Sequence, residues 1–194
     1  MKQFLPEDLL EFLQKTDEFL KANCDLIVIG GAAASLAYGA TRTTTDIDLA
    51  NEPPKHLQEA LKLASKETGI TIPVSYAGQY DPPYNFVSRL KTIDNFEFKM
   101  LKLSVPEQHD LALMKMVRGY ENDIQAIEEM HEAQPFDLEI FIERFMSEMT
   151  QVIGNIGMIR LNFLLMTEKL FGSDAMSEVD TITEAWAPLH PAHP

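Results

Sequence analysis

The feature that most constrains this chain is a short apolar, β-branched run, Asp25–Ile29 (DLIVI), halted by Gly30-Gly31. A run so short and so poor in polar residues reads as a buried strand rather than a helix. The small residues that follow, 32–37 (AAASLA), suit a helix packed closely on that strand, ending near Gly39 in a left-handed cap. A polar stretch, Thr41–Thr45, then leads into Asp46-Ile47-Asp48-Leu49-Ala50. There polar and apolar residues alternate, as they do on a half-exposed strand. A strand, a tight glycine turn, a helix and a second strand within fifty residues commit this part of the chain to a mixed α/β arrangement.

The remaining pattern is coarser. Residues 6–20 place Leu9, Leu10, Phe12, Leu13, Phe19 and Leu20 at helical spacing, with Pro6 in the first turn. A second helix is expected over 54–66, closed by Gly69, and a strand over 70–74, confined to an edge or shortened by Pro73. Residues 76–95 read as a loop with one short strand, and 96–105 as a longer strand. Ser104-Val105-Pro106-Glu107 has the form of a capping box, with Ser104 as cap and Pro106 in the first turn. Helices are then expected from there to Gly119, over 121–131, 136–149 and 158–171. The end of the chain, 173–194, closes in APLHPAHP and reads as extended or disordered. The expected division is a mixed core over 1–105, a helical part over 106–172 and a tail from 173.

Composition excludes several classes. Of 194 residues, 45% are hydrophobic and 24% charged, which are globular values. One cysteine, Cys24, cannot build a disulfide framework or a cysteine zinc site, and reads as a small buried filler. No apolar stretch reaches membrane-spanning length, and the opening MKQFLPEDLLEF carries acids where a signal sequence needs an apolar run. A cytoplasmic protein with no membrane partner is expected. Sixteen basic against thirty acidic residues give a net charge of −14, the opposite of a generic nucleic-acid footprint. An RNA partner would need a local basic patch, for which Arg42, Lys99, Lys102, Lys115 and Arg118 are available.

The chemistry concentrates in Gly30-Gly31 and, fourteen residues later, Asp46-Ile47-Asp48. On a strand, residues i and i+2 share a face and lie roughly 6.5–7 Å apart. Two carboxylates placed in this way repel unless water or a cation shields them. Mg²⁺ accepts such a pair, taking its other positions from water and substrate phosphates. A strand that ends in Gly-Gly and opens a helix offers bare amides and a positive helix end to a phosphate chain. Arg42 and Thr44 lie between the two elements and could donate to the same phosphates. Separately, each feature has a plainer reading: Gly-Gly as a tight turn, Asp-x-Asp as a solvated face.

Taken together, IVIGGAAASLAYGATRTTTDIDL resembles the signature of the nucleotidyltransferase superfamily with the DNA polymerase β-like fold. Within it the likeness is closest to AbiEii/AbiGii-type proteins of toxin–antitoxin systems and related uncharacterised nucleotidyltransferases. It continues into VPEQHDLALMKMVRGYENDIQAI and, more weakly, to about residue 172. The resemblance implies a small mixed sheet flanked by helices, followed by a helical part. It implies that Gly30 and Gly31 hold the triphosphate of an NTP, that Asp46 and Asp48 bind Mg²⁺, and that Arg42 and Thr44 support the phosphates. Lys115 would neutralise charge on the transferring nucleotide, and Arg118 with Asp123 would complete the site, Asp123 as a base or a positioning group. The acceptor could be RNA, protein or a small molecule, and a cognate antitoxin could be a partner.

Without the resemblance, Lys115 reads as an amphipathic residue reaching solvent, and Asp123 as a first-turn acid favoured by the helix dipole. Two positions depart from the family pattern. The third carboxylate the superfamily often carries has only Glu97 as its candidate, and Ala126 stands where a further acid is common. These departures keep a second expectation open: a nucleotidyltransferase-fold binding or regulatory module with little or no turnover.

Overall fold

A computed structural model describes residues 2–78, 80–94 and 96–186. The chain divides into two compact units, one formed by Met1–Gly78 with Leu90–Pro106, the other by Gln79–Arg89 with Glu107–Pro194.

The first unit is the α+β part. Its helices are α1 (Pro6–Phe19), α2 (Gly30–Ala37) and α3 (Lys55–Thr68). Its strands are β1 (Cys24–Ile29), β2 (Ile47–Leu49), β3 (Val74–Tyr76), β4 (Lys91–Thr92) and β5 (Leu101–Val105), in the order β3-β2-β1-β5-β4. β1 runs parallel to β5 and antiparallel to β2, so the DLIVI run sits at the centre of the sheet. Its burial alternates. Leu26 and Val28, with Leu103 and Val105 of β5 and Ile47 and Leu49 of β2, are 0–2% exposed. Leu9, Phe12 and Leu13 of α1 and Leu57, Ala60 and Ala64 of α3 are buried to the same degree. Period-2 strands and 3.6-period helices therefore supply one core.

The other face of the sheet follows from register. Ile29 pairs with Asp48, Asp25 with Lys102 and Ile27 with Ser104. Side chains alternate along each strand, so Asp48, Ile29, Ile27, Asp25, Lys102 and Ser104 share the face opposite the core.

The second unit is helical: a 3₁₀ turn at Phe86–Arg89, then α4 (Gln108–Arg118), α5 (Glu121–Ala133), α6 (Leu138–Glu148), α7 (Ile156–Phe171) and α8 (Ser173–Thr183). Phe141, Phe145 and Phe163 are fully buried, and the rings of Phe145 and Phe163 stack at 3.9 Å. α4 ends at Gly119, whose φ is +63°. A methyl group there would meet the Asn162 carboxamide, which donates to Met116 O at 3.2 Å. Gly119→Ala is therefore expected to cost about 2 kcal/mol, from left-handed strain alone, with more from the collision. Thermal melts of the two chains check this, and an unchanged midpoint would refute it.

Several expectations are corrected. The strand expected over 70–74 forms at Val74–Tyr76, displaced past Pro73. The strand expected over 96–105 begins only at Leu101, leaving Glu97 in an exposed irregular segment. Ser104 lies within β5 and caps nothing. Glu107 is the cap of α4, its carboxylate accepting from His109 N at 3.1 Å, and Pro106 precedes the helix. The extended tail expected from residue 173 instead begins as α8, and residues 187–194 of that expectation lie outside the described residues. Among the described residues, no helix is long and apolar enough to cross a membrane.

Candidate active site

The first unit brings Gly30 and Asp48 together. β1 ends at Ile29, and α2 starts on the next residue, Gly30, with φ +70°. In the antiparallel partner, Asp48 lies opposite Ile29. A methyl group on Gly30 would stand 3.3 Å from Asp48 Oδ2 and 3.8 Å from its Cβ. Glycine is thus favoured by the backbone angle, and a methyl group there would also crowd the Asp48 carboxylate by a few tenths of an ångström. Gly31 is similarly confined: a methyl group there would stand 3.1 Å from Thr44 Oγ1.

Asp46 and Asp48 are half-exposed, while Ile47 and Leu49 are fully buried, so the alternation expected of DIDL is the one observed. Thr44 plays a local structural part. It exchanges backbone hydrogen bonds with Phe4 at 2.8 and 3.0 Å, and its hydroxyl lies 3.1 Å from Asp46 O, to which it donates. The segment entering β2 is thereby pinned by the N-terminal residues. Arg42, half-buried, presents its carbonyl to Ser35 Oγ at 3.3 Å, tying the same segment to α2.

Among the described residues, no group of three or more His, Cys, Asp or Glu side chains converges. Asp48 stands beside the glycine turn, with Asp46 two residues before it; a pair of carboxylates would be a partial shell of the kind Mg²⁺ completes with water and phosphate oxygens. β5, Leu101–Val105, carries no acid on either face. Its residues on the Asp48 face are Lys102 and Ser104, and Glu97 is off the strand.

Cys24 is 1% exposed, and burial, then the neighbouring Asp25 charge, push its thiol up to about 11. Such a thiol is a poor nucleophile, consistent with a packing role.

The second unit holds Lys115 and Asp123. Lys115 is 4% exposed and Asp123 5%, and Lys115 Nζ lies 3.1 Å from Asp123 Oδ1. Arg118 Nη2 donates to the same oxygen at 2.7 Å. The plainer reading of Lys115 fails, since the lysine does not reach solvent, whereas Asp123 is the expected first-turn acid of α5 and is a buried ion-pair partner as well. Ala126, one turn further along α5, is 5% exposed.

A second buried ionic cluster was not read from the sequence. Asp110 is fully buried and receives Arg89 Nε and Nη2, each at 2.9 Å, and Arg144 Nη1 at 3.0 Å. Arg89 also donates to both oxygens of Glu148, and Arg144 to Glu107. The only sequence signal is an acid amid the apolar positions of α4.

A five-stranded mixed sheet with a Gly-Gly helix start against an Asp-x-Asp strand, followed by helices, is a nucleotidyltransferase-like core with a helical part. The chain belongs to a family of nucleotidyltransferases of unknown function (DUF6036), whose model matches residues 7–167. No curated protein and no solved structure matches it.

Proposed function

We propose that the protein is a Mg²⁺-dependent nucleotidyltransferase that moves a nucleoside monophosphate from an NTP to a hydroxyl of an acceptor. The observation that carries this reading is the space kept clear beside Asp48 by Gly30, at the start of α2. The amides of Gly30 and Gly31, at a positive helix end, would hold the triphosphate, with Arg42 beside them. Asp46 and Asp48 would hold the metal, which supplies neutralisation of the phosphate charge.

The acceptor hydroxyl attacks the α-phosphorus, the bond to pyrophosphate breaks, and pyrophosphate leaves with its electron pair. The hydroxyl proton passes to a carboxylate of the pair or to water. Catalysis is then mostly positioning and charge stabilisation.

The test is calorimetric titration of a non-hydrolysable NTP with Mg²⁺ into the wild type and into Asp46→Asn/Asp48→Asn. Binding is expected in the first and lost by at least about a hundredfold in the second, since two metal carboxylates are neutralised. Unchanged binding in a folded double variant would end the proposal. The acceptor class follows from incubating each labelled NTP with a cell extract and separating RNA, protein and small molecules. The likeness to AbiEii/AbiGii-type proteins adds a role in a toxin–antitoxin pair, testable by co-purifying a product of a neighbouring gene.

A second reading is favoured by the absence of an acid at Lys102 and Ser104. In it the fold binds nucleotide without turnover, and tight NTP binding with no label transferred to any fraction would support it.

A further inference from the structure

Residues 134–137 connect α5 to α6, and two consecutive amides of this connection end on imidazoles. Phe136 N donates to His131 Nδ1 at 3.0 Å, and Asp137 N donates to His109 Nε2 at 2.8 Å. An amide N–H can only donate, so both of these ring nitrogens must carry a lone pair. The Phe136 ring, 5% exposed, lies between the two imidazoles, 5.3 Å from His109 and 5.4 Å from His131. Asp137 is itself the cap of α6, accepting from Glu139 N and Ile140 N.

We propose that His109 and His131 form a pH-operated clasp: neutral, they hold the α5–α6 connection closed, and protonated, they release it. Protonation takes one proton from solvent onto His131 Nδ1 or His109 Nε2. An acceptor then becomes a donor that faces another donor, and the hydrogen bond is lost.

The charges around each ring are defined. His109 Nδ1 lies 3.0 Å from Glu107 Oε1, and that carboxylate is also bound by Arg144 of α6. The ring thus has a carboxylate at Nδ1 and the Asp137 amide at Nε2. Asp110, on the same helix as His109, is occupied by Arg89 and Arg144. Around His131, Glu132 is the neighbouring acid on its own helix. α7 presents the Phe171 ring at 5.2 Å, and its Lys169 is paired with Glu128 of α5.

Burial lowers the His131 pKa, and Glu132 opposes this only in part. The closed form thus binds fewer protons than the open one. It gains stability as pH rises and loses it as pH falls through about 6.5, the ordinary histidine value.

The experiment is native-state amide exchange on the whole protein by NMR, from about pH 7.5 to about pH 5, spanning the histidine range. Protection of the Phe136 and Asp137 amides, corrected for intrinsic exchange, is expected to fall about tenfold per pH unit for each proton taken up. Leu103, in the sheet unit, should stay flat. His131→Gln keeps a carbonyl acceptor that cannot be protonated, and should flatten the Phe136 response. Flat protection in the wild type, or an undiminished response in both His131→Gln and His109→Gln, would overturn the clasp. Should a variant fail to fold, the imidazole ¹⁵N shifts of the wild type decide. A proton on His131 Nδ1 or His109 Nε2 at neutral pH refutes the proposal, and unprotonated nitrogens at both positions support it.

Discussion

Asp17→Ala is expected to destabilise the sheet unit by about 4 kcal/mol, because one buried carboxylate serves three backbone amides, each such charged bond being worth about 1.5–3 kcal/mol. Asp17 is 6% exposed, and its oxygens receive Lys99 N at 2.8 Å, Met100 N at 2.8 Å and Leu101 N at 2.7 Å. These amides form the entry to β5, where Met100 O accepts from Cys24 N at the start of β1. The carboxylate therefore holds the point at which the two central parallel strands begin to pair. Its position near the C-terminal end of α1 is unfavourable for a negative charge in an isolated helix, so its tertiary bonds must outweigh that. Asp17→Asn keeps one acceptor oxygen and should lose about half as much. Denaturant melts of the three chains test the ranking, and an Asp17→Ala chain within about 1 kcal/mol of wild type, the loss expected of an ordinary surface change, would refute it.

This residue also marks where sequence reading ends. β1, β2 and α1 to α3 were legible because their burial is periodic over a few neighbouring residues, and DIDL showed its inward and outward faces directly. Asp17 has no local signature, because its three partners lie more than eighty residues away. The spacing predicts too long a β5 because alternation runs back to Phe96, whereas the amides of Lys99 and Met100 are held by Asp17 and strand pairing starts at Leu101. Ser104 looked like a helix cap because Ser-x-x-Glu is a local pattern, while its actual place was decided by pairing with Ile27 across the sheet. The candidate site followed the same division. Gly30 beside Asp48 is a consequence of two adjacent local motifs. That Glu97 falls outside β5 depends on where strand pairing begins, at Leu101, and so became visible only in three dimensions.

The helical unit should fail through Asp110. Asp110→Ala leaves the guanidinium groups of Arg89 and Arg144 without their most buried partner, and breaking such a set costs about 3–5 kcal/mol. Asp110→Asn keeps the shape and loses the charge, so a smaller but clear loss separates electrostatics from cavity formation. The effect should persist in concentrated salt, because buried pairs are weakly screened. A surface network would weaken under the same conditions, so a loss that vanishes with salt would contradict the buried geometry. The cluster also sets the acid response. Burial alone would raise the Glu107 carboxyl, but the bonds from His109 and Arg144 outweigh it and hold the group at about 2. Burial likewise opposes Glu148, and the bonds from Arg89 and the Asn85 amide hold it below its ordinary value. A depressed carboxylate contributes stability that is complete above its unfolded value of about 4.3 and is lost as pH falls toward the folded one. Below about pH 4.5 wild-type melting temperatures should therefore fall steadily toward pH 2 as these carboxylates are protonated, a step separate from the histidine-linked loss at about pH 6.5. Glu107→Gln should remove much of that acid slope and lower stability at neutral pH, since the slope and the neutral-pH stabilisation come from the same charge.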